Sequence, residues 1–222
     1  MDYVFQFGIL KEYAPYLAGG LGYTCMVGFG SIFFSIVLGL FFATLQISNN
    51  KILKIIALIY VDIFRTVPLV CLLIWIHYVM PILFNVGGSP TQSSIIALSL
   101  NGGALACEAF RGGLEAIPLT QNQASLSLGF SRIQTILFVI IPQAVYSVLP
   151  PLTNVFITNL KNVTITMIVS VPEVMFRAQE LTVQFFRPLE LYTGAAIIYI
   201  LLIGSFSYAM RRVEKLRKWE SI

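Results

Sequence analysis

The sequence has few charged residues and long stretches that contain none. Charged residues make up 11% of the 222 residues. None occurs from Ala14 to Asn50 or from Thr66 to Cys107. The loops of a soluble domain would interrupt such stretches with charges, and 57% of the residues are hydrophobic. The composition therefore indicates a membrane protein.

Groups that carry enzyme chemistry are also scarce. One histidine and two aspartates occur in the whole chain, which disfavours a membrane-embedded enzyme with clustered His, Asp or Glu ligands. The three cysteines are far apart and lack the spacing of metal or redox sites. No phosphate-binding loop of the form G-x-x-x-x-G-K-[ST] is present. We therefore expect the chain to bind no cofactor and not to hydrolyse ATP itself.

The apolar stretches are long enough to cross a membrane. A helix needs about 20 apolar residues to span the hydrocarbon layer. The sequence predicts five membrane helices, at residues 16–47, 53–84, 93–114, 132–157 and 189–211. Pro68 is expected to kink the second span, and the Pro150-Pro151 pair to break the fourth. The predicted fold class is an all-α polytopic membrane protein, with one transmembrane domain over residues 1–222.

Basic residues predict the orientation of the spans. Lys and Arg in short loops stay on the cytoplasmic side. Most basic residues fall on one side if the amino terminus is outside; they are Lys51, Lys54, Arg111, Arg132, Arg211, Arg212, Lys215, Arg217 and Lys218. We therefore expect a protein of the cytoplasmic (inner) membrane with a cytoplasmic carboxyl terminus. The longest polar insertions are then 112–131, inside, and 158–188, which begins at or within the membrane and ends outside.

A polar stretch, TQNQASLSLGFSRIQ, follows the third predicted span. Thr120 and Gln123 have the spacing of a capping box, which predicts a short helix. Gly129 can supply a left-handed turn, and Ser131 with Gln134 repeats the capping pattern. The stretch therefore predicts helix, tight turn and helix on the cytoplasmic face. The first helix could fit a groove on another protein, or the stretch could be an ordinary polar loop with two helix caps.

The same stretch resembles the cytoplasmic loop of ABC importer permeases, which reads E-A-A, three residues, Gly, nine residues and Ile-x-Leu-Pro. The equivalent positions here are Gln123, Ala124, Ser125, Gly129, Val139, Ile141 and Pro142. Glutamine replaces the glutamate, and serine replaces the second alanine. The resemblance implies that the short helix docks in a cleft of a cytoplasmic ATPase. The implied ATPase-coupling residues are Gln123, Ala124, Ser125, Gly129 and Pro142.

Three further stretches resemble the polar amino acid permease branch of this superfamily. They are FRTVPLV, LNGGALACEAFRGGLEAI and LPPLTNVFITNLKNVTITMIVSVPEV. The resemblance implies an amino acid importer in which two permease chains, identical or sibling, sit on two ABC ATPase subunits that use the ATP. An extracytoplasmic amino-acid-binding protein would deliver the substrate. The implied partners include the lipid membrane but no nucleic acid.

The resemblance also implies where the substrate passes. The Lys-Asp-Thr-Ser-Leu segment of the branch appears here as KNVTI, beginning at Lys161. The resemblance places Lys161, Asn162 and Thr164 on the substrate path. The polar residues Arg65, Thr66 and Asn101 of the apolar spans are further path candidates, and Asn101 could instead hydrogen-bond a neighbouring helix. Because Asn162 replaces an aspartate, a cationic substrate is disfavoured if this position contacts it. Charges three residues apart on a helix can pair, as in Asp62 with Arg65 and Glu108 with Arg111, although Asp62 and Arg65 could instead extend to the membrane interface.

Two alternatives remain open. An ion-coupled secondary transporter would carry discontinuous helices in two paired halves, and the absence of an internal repeat disfavours it. A membrane module without transport activity would bind no ATPase.

Overall fold

The computed structural model describes residues 5–216, and all regular structure in this range is helical. In chain order the α-helices are α1 (Gly8–Ala18), α2 (Leu21–Gln46), α3 (Lys51–Thr66), α4 (Leu69–Ile74), α5 (Met80–Phe84), α6 (Pro90–Glu115), α7 (Leu119–Ser127), α8 (Arg132–Gln134), α9 (Ile141–Asn162), α10 (Val174–Phe185) and α11 (Pro188–Leu216). Segments Trp75–Val79 and Thr135–Ile140 are π-helical, and Val163–Val169 is a 3₁₀ helix.

Four helical runs are long and apolar enough to cross a membrane: Leu21–Gln46, Pro90–Glu115, Arg132–Val169 and Pro188–Glu214. A fifth candidate is the pair Lys51–Thr66 and Leu69–Phe84, which is bent by 104° at the break between them. The predicted all-α membrane fold with five spans is therefore confirmed when the bent pair is counted as one span. Arg217 and Lys218, used to predict the orientation, lie outside the described residues.

The predicted first span, 16–47, is divided into two helices. A break at Gly19 and Gly20 separates α1 from α2, so the prediction of one continuous helix is wrong. Instead of extending α2, α1 packs against α10 and α11, where Leu17 is buried beside Leu191 and Ala195. Hydropathy could not locate this break because the chain is apolar on both sides of it.

The second span is broken at Val67 and Pro68, as the kink prediction anticipated. Proline has no N–H, so the carbonyl of Phe64 loses the donor that a continuous helix would supply four residues later. The side chain of Asn101, on α6, replaces that donor: its Nδ2 donates to the Phe64 carbonyl at 2.7 Å. A side chain from a neighbouring helix thus satisfies the backbone at the bend, as the water-free bilayer requires.

The predicted break at Pro150-Pro151 is wrong, because α9 continues through both residues to Asn162. Residues on both sides of the prolines, Val148 and Leu152, belong to the same buried cluster as Ile32 of α2. Neighbouring helices can hold a proline-containing membrane helix together in this way. The irregular segment predicted from residue 158 consequently begins later, with the 3₁₀ helix and the left-handed Ser170 (φ 61°).

The centre of the bundle contains a buried polar contact between three helices. Asn159 of α9 donates through Nδ2 to Ser35 Oγ of α2 at 3.1 Å. Gly102 of α6 makes room for this contact, since a Cβ there would lie 2.3 Å from Ser35 Oγ and 2.5 Å from Asn159 Nδ2. Small residues permit such close approach between membrane helices.

We predict that Asn101→Leu destabilises the protein by about 1–2 kcal/mol, because the Phe64 carbonyl would lose its donor within the bundle. The thermal unfolding midpoint in detergent measures the change. Asn154→Leu is the matched control, since Asn154 is an exposed amide on α9. Equal midpoints for the two variants would show that the Asn101 contact does not stabilise the bend.

Candidate coupling helix and translocation path

The short helix predicted after the third span is α7, but it begins earlier than its predicted cap. Pro118, with extended backbone (ψ 136°), precedes the first helical residue, Leu119. Thr120 therefore lies inside the first turn, and the predicted capping box between Thr120 and Gln123 is wrong. A proline immediately before a helix is favourable because it needs no hydrogen-bond acceptor.

The turn after α7 matches its prediction. Gly129 has a φ of +87°, which favours glycine over residues with a side chain. In the capping box that follows, Gln134 N donates to Ser131 Oγ at 3.3 Å, and Ser131 N donates to Gln134 Oε1 at 2.8 Å. The predicted sequence of helix, tight turn and helix is confirmed.

One face of α7 is attached to the chain's own fourth span. Ser125 is 4% exposed, and its Oγ lies 3.0 Å from Oγ1 of the buried Thr135. This hydrogen bond joins α7 to the first turns of the run Arg132–Val169. Ser125, which the sequence places among the coupling residues, therefore contacts its own chain.

The opposite face of α7 is free. Gln123 precedes Ser125 by two residues, which corresponds to about 200° around a helix. Gln123 and Ala124 are both exposed. Gly129 lies in the exposed turn, and Pro142 is exposed in the first turn of α9, beyond the π-helical segment. Gln123 and Ala124 thus remain available for a partner, and we call their surface the free face of α7.

A cluster of charges surrounds the carboxyl-terminal half of α6. The predicted pair of Glu108 and Arg111 is confirmed, with Nη2 and Oε2 at 2.8 Å. Arg111 also contacts Glu115 at 2.8 Å. The predicted pair of Asp62 and Arg65 is wrong: Arg65 Nη1 lies 3.8 Å from Glu108 Oε2 instead. An exposed ion pair within one helix contributes little to stability. A carboxylate on a neighbouring helix can therefore bind the Arg65 guanidinium in place of Asp62.

The predicted path residues form two groups. Arg65 and Thr66 are the exposed last residues of α3, at the Pro68 break. Asn101 of α6 lies at the same break, because its side chain donates to the Phe64 carbonyl. Lys161 and Asn162 instead end α9, where Thr164 donates through Oγ1 to the Lys161 carbonyl at 2.9 Å. Lys161 is exposed, whereas Asn162 and Thr164 are half-buried.

Sequence reasoning missed two buried amides. Asn159 is 1% exposed, and Gln46, the last residue of α2, is 5% exposed. Gln46 stands between Leu45 and Ile47 and belongs to no motif, whereas Asn159 follows Thr158 within the stretch LPPLTNVFITNLKNVTITMIVSVPEV. Their neighbours come from other helices, so their burial could not be inferred from the sequence.

We predict that Ser125→Ala loosens α7, because the contact to Thr135 is lost. A loss of about 1 kcal/mol corresponds to roughly fivefold faster amide hydrogen exchange in α7. Ser127→Ala is the control: Ser127 is exposed, and its hydroxyl donates to Gln123 O within α7 itself. Equal exchange rates in both variants would contradict an anchoring role for Ser125.

The sequence is similar to membrane components of amino acid transporters. It is 28% identical to the glutamine transport system permease protein GlnP of Escherichia coli over 215 residues, covering 96% of this chain and 98% of that protein. It is 32% identical to the L-cystine transport system permease protein TcyB of Bacillus subtilis, covering 93% and 88%. A probable glutamine ABC transporter permease protein GlnP of Bacillus subtilis is 30% identical, with coverage of 96% and 98%.

Solved structures have the same fold. The crystal structure of an amino acid ABC transporter with histidines matches with a TM-score of 0.89 and 29% identity, covering 96% of this chain and 99% of that one. The inward-facing MetNI methionine ABC transporter matches with a TM-score of 0.78 at 20% identity, covering 93% and 98%, a likeness of fold alone. Residues 35–218 match the family of binding-protein-dependent transport system inner membrane components. With this match over most of its length, the chain belongs to that family of multi-pass membrane permeases.

Proposed function

We propose that this chain is the membrane-spanning subunit of an ATP-driven amino acid importer and that α7 docks on a cytoplasmic ABC ATPase. The observation that carries the proposal is the free face of α7, on a helix whose other face is anchored to a membrane span. A helix in a partner's groove needs small or polar residues for close approach, and Gln123 and Ala124 provide them. The names of the relatives support amino acids as the substrate class.

Anchoring explains how movement would reach the membrane. When the ATPases close on ATP, they would displace α7 as a rigid body. The contact between Ser125 and Thr135 would pass this displacement to the run Arg132–Val169. Gln123 would hydrogen-bond the ATPase without the charge of the glutamate that the family motif carries, which makes the contact weaker than a charge-assisted one.

The proposed assembly contains a second permease chain, identical or sibling, and an extracytoplasmic amino-acid-binding protein. In this arrangement α7 is cytoplasmic, and so are Lys51 and Lys54 in the first turn of α3. The amino terminus would be outside and the carboxyl terminus inside, in agreement with the positive-inside rule. The chain would bind no cofactor, and the ATPase subunits would use the ATP.

The Pro68 break is the proposed place where substrate meets α3 and α6. Irregular backbone within a membrane is tolerated where it is enclosed by protein or lines a water-filled path. Arg65 and Thr66 would face the carboxylate of an amino acid there, while Asn101 holds the broken backbone. Lys161, Asn162 and Thr164 would line a further part of the path, where the neutral Asn162 favours a substrate without net positive charge.

Transport into proteoliposomes tests the proposed function. We expect the chain, reconstituted with its cognate ATPase and binding protein, to accumulate at least one member of a panel of amino acids only when ATP is supplied. ATP-independent uptake driven by an ion gradient would identify a secondary transporter. A preparation that binds no ATPase and transports nothing would identify a non-transport module.

We predict that Gly129→Val reduces ATP-driven uptake at least tenfold, because a β-branched residue is strained at a φ of +87° and the turn behind α7 would change. Gly112→Val is the matched control. A Cβ at either glycine meets no atom within 4 Å, but the left-handed backbone occurs only at Gly129 of the two. Uptake that stays unchanged in both variants would show that the geometry of the turn is not needed for coupling.

A further inference from the structure

The carboxyl-terminal end of α11 brings basic residues to the edge of the membrane. Between Glu190 and Arg211, 20 consecutive residues carry no charge. A helix rises about 1.5 Å per residue, so this stretch is about 30 Å long, which is the thickness of the hydrocarbon layer. Arg211 therefore lies where the hydrocarbon ends and the phosphates of the lipid headgroups begin.

Packing against neighbouring helices gives the same depth. Met210 packs on a buried cluster that includes Val148 of α9. A Cβ on Gly113 of α6 would lie 2.2 Å from Val148 Cγ2, so Gly113 lies at this level as well. Gly113 comes shortly after Arg111, the first basic residue that follows the uncharged part of α6. Both helices thus change from uncharged to charged near Met210, which indicates that the hydrocarbon layer ends there.

Positive charge is concentrated at this edge. Five of the eight residues from 211 to 218 are basic, and one is acidic. Arg211 and Arg212 are exposed on α11, and Arg211 forms no ion pair within the described part of the chain. In the proposed orientation this end of α11 is cytoplasmic. A basic cluster directly after the cytoplasmic end of a span is typical of segments that bind anionic lipids.

The guanidinium of Arg212 is held on the ring of Tyr208. Its Nε and Nη2 donate to Tyr208 Oη at 3.0 and 2.6 Å, and Cζ lies 5.2 Å from the ring centroid. Tyrosine is enriched at the interface between membrane and water, and Tyr208 is exposed. Arginine has five N–H donors, so this contact leaves three for a further acceptor.

The exposed side of α11 continues from Arg212 into the hydrocarbon layer. Ile197, Leu201, Gly204 and Tyr208 precede Arg212 at intervals of three or four residues, so they lie on one side of the helix. All four are exposed, and a Cβ on Gly204 would meet no atom within 4 Å. This open side is apolar up to Tyr208, so it can accommodate an acyl chain whose headgroup lies at Arg212.

We propose that Arg211 and Arg212 bind the headgroup of an anionic phospholipid at the end of α11. The remaining donors of Arg212 would form charge-assisted hydrogen bonds with the lipid phosphate, and Arg211 would add a second positive charge. A zwitterionic phospholipid carries an ammonium group beside its phosphate, which the two arginines would repel. This inference requires that α11 crosses the membrane, but it does not depend on amino acid import.

Quenching by brominated lipids tests the proposal. Ala209 is exposed and lies about 60° from Arg212 around α11. We would replace Cys25, Cys71 and Cys107 by alanine, introduce Ala209→Cys and attach a bimane fluorophore. The labelled permease would then be reconstituted with its ATPase in phosphatidylcholine vesicles that contain an increasing fraction of one brominated lipid.

We expect brominated phosphatidylglycerol to bind beside the label at least fivefold more tightly than brominated phosphatidylcholine in about 50 mM salt. The preference should fall below about twofold in roughly 500 mM salt, because salt screens the attraction between exposed charges.

Pairs of substitutions identify the residues responsible. Arg211→Gln with Arg212→Gln should reduce the preference for phosphatidylglycerol at least threefold. Lys51→Gln with Lys54→Gln is the matched control, because it removes the same charge from exposed residues on the same side of the membrane. This control should keep the preference. Arg211→Lys with Arg212→Lys retains the charge and should keep at least half of it.

Three results would overturn the inference: equal affinity for the two lipids, a preference that persists when both arginines are glutamine, or an equal loss in the lysine control. Absence of quenching by either lipid would also overturn it, because a protein partner would then cover this side of α11. If the glutamine pair does not fold, the chain with both arginines decides by its salt dependence. A preference that is unchanged in high salt would contradict binding through the arginine charges.

Discussion

The hydrogen bond between Ser125 and Thr135 is the contact on which the proposed coupling through α7 depends. A helix as short as α7 is not stable in water by itself, so it must be fixed by packing. The Ser125 contact fixes one face to the start of the fourth span and leaves Gln123 exposed on the other. A helix held in this way can receive a force from a partner and pass it to the membrane without first unfolding.

The water-free interior of the bilayer imposes the second constraint, and α6 is the helix that meets it. Midway along its length, Asn101 supplies the hydrogen bond that Pro68 removes from the neighbouring span. Nearer its carboxyl end, Glu108 accepts contacts from both Arg65 and Arg111. Residues 116–118 separate α6 from α7, so α6 connects the bent span and the charge cluster with the short link that precedes the proposed docking helix.

The sequence predicted most features that depend on neighbours along the chain, although the capping box of Thr120 and Gln123 was wrong. Apolar length predicted the spans, Gly129 predicted the left-handed turn, and the spacing of Ser131 and Gln134 predicted their capping box. Features that depend on other helices were missed or predicted wrongly. Arg65 pairs with Glu108 on α6, and α9 continues through its two prolines because α2 and α6 pack against it. Hydropathy and spacing contain no information about such neighbours.

The central claim is that the free face of α7 is covered by an ATPase while the opposite face stays on its own span. The most direct measurement is the alkylation rate of a Gln123→Cys variant, free of other cysteines, with and without the ATPase subunits. We predict at least tenfold slower alkylation in the complex, and no comparable slowing at an exposed control site such as Gly87→Cys in the loop before α6. An unchanged rate at residue 123 in a complex that retains the ATPase would contradict the account.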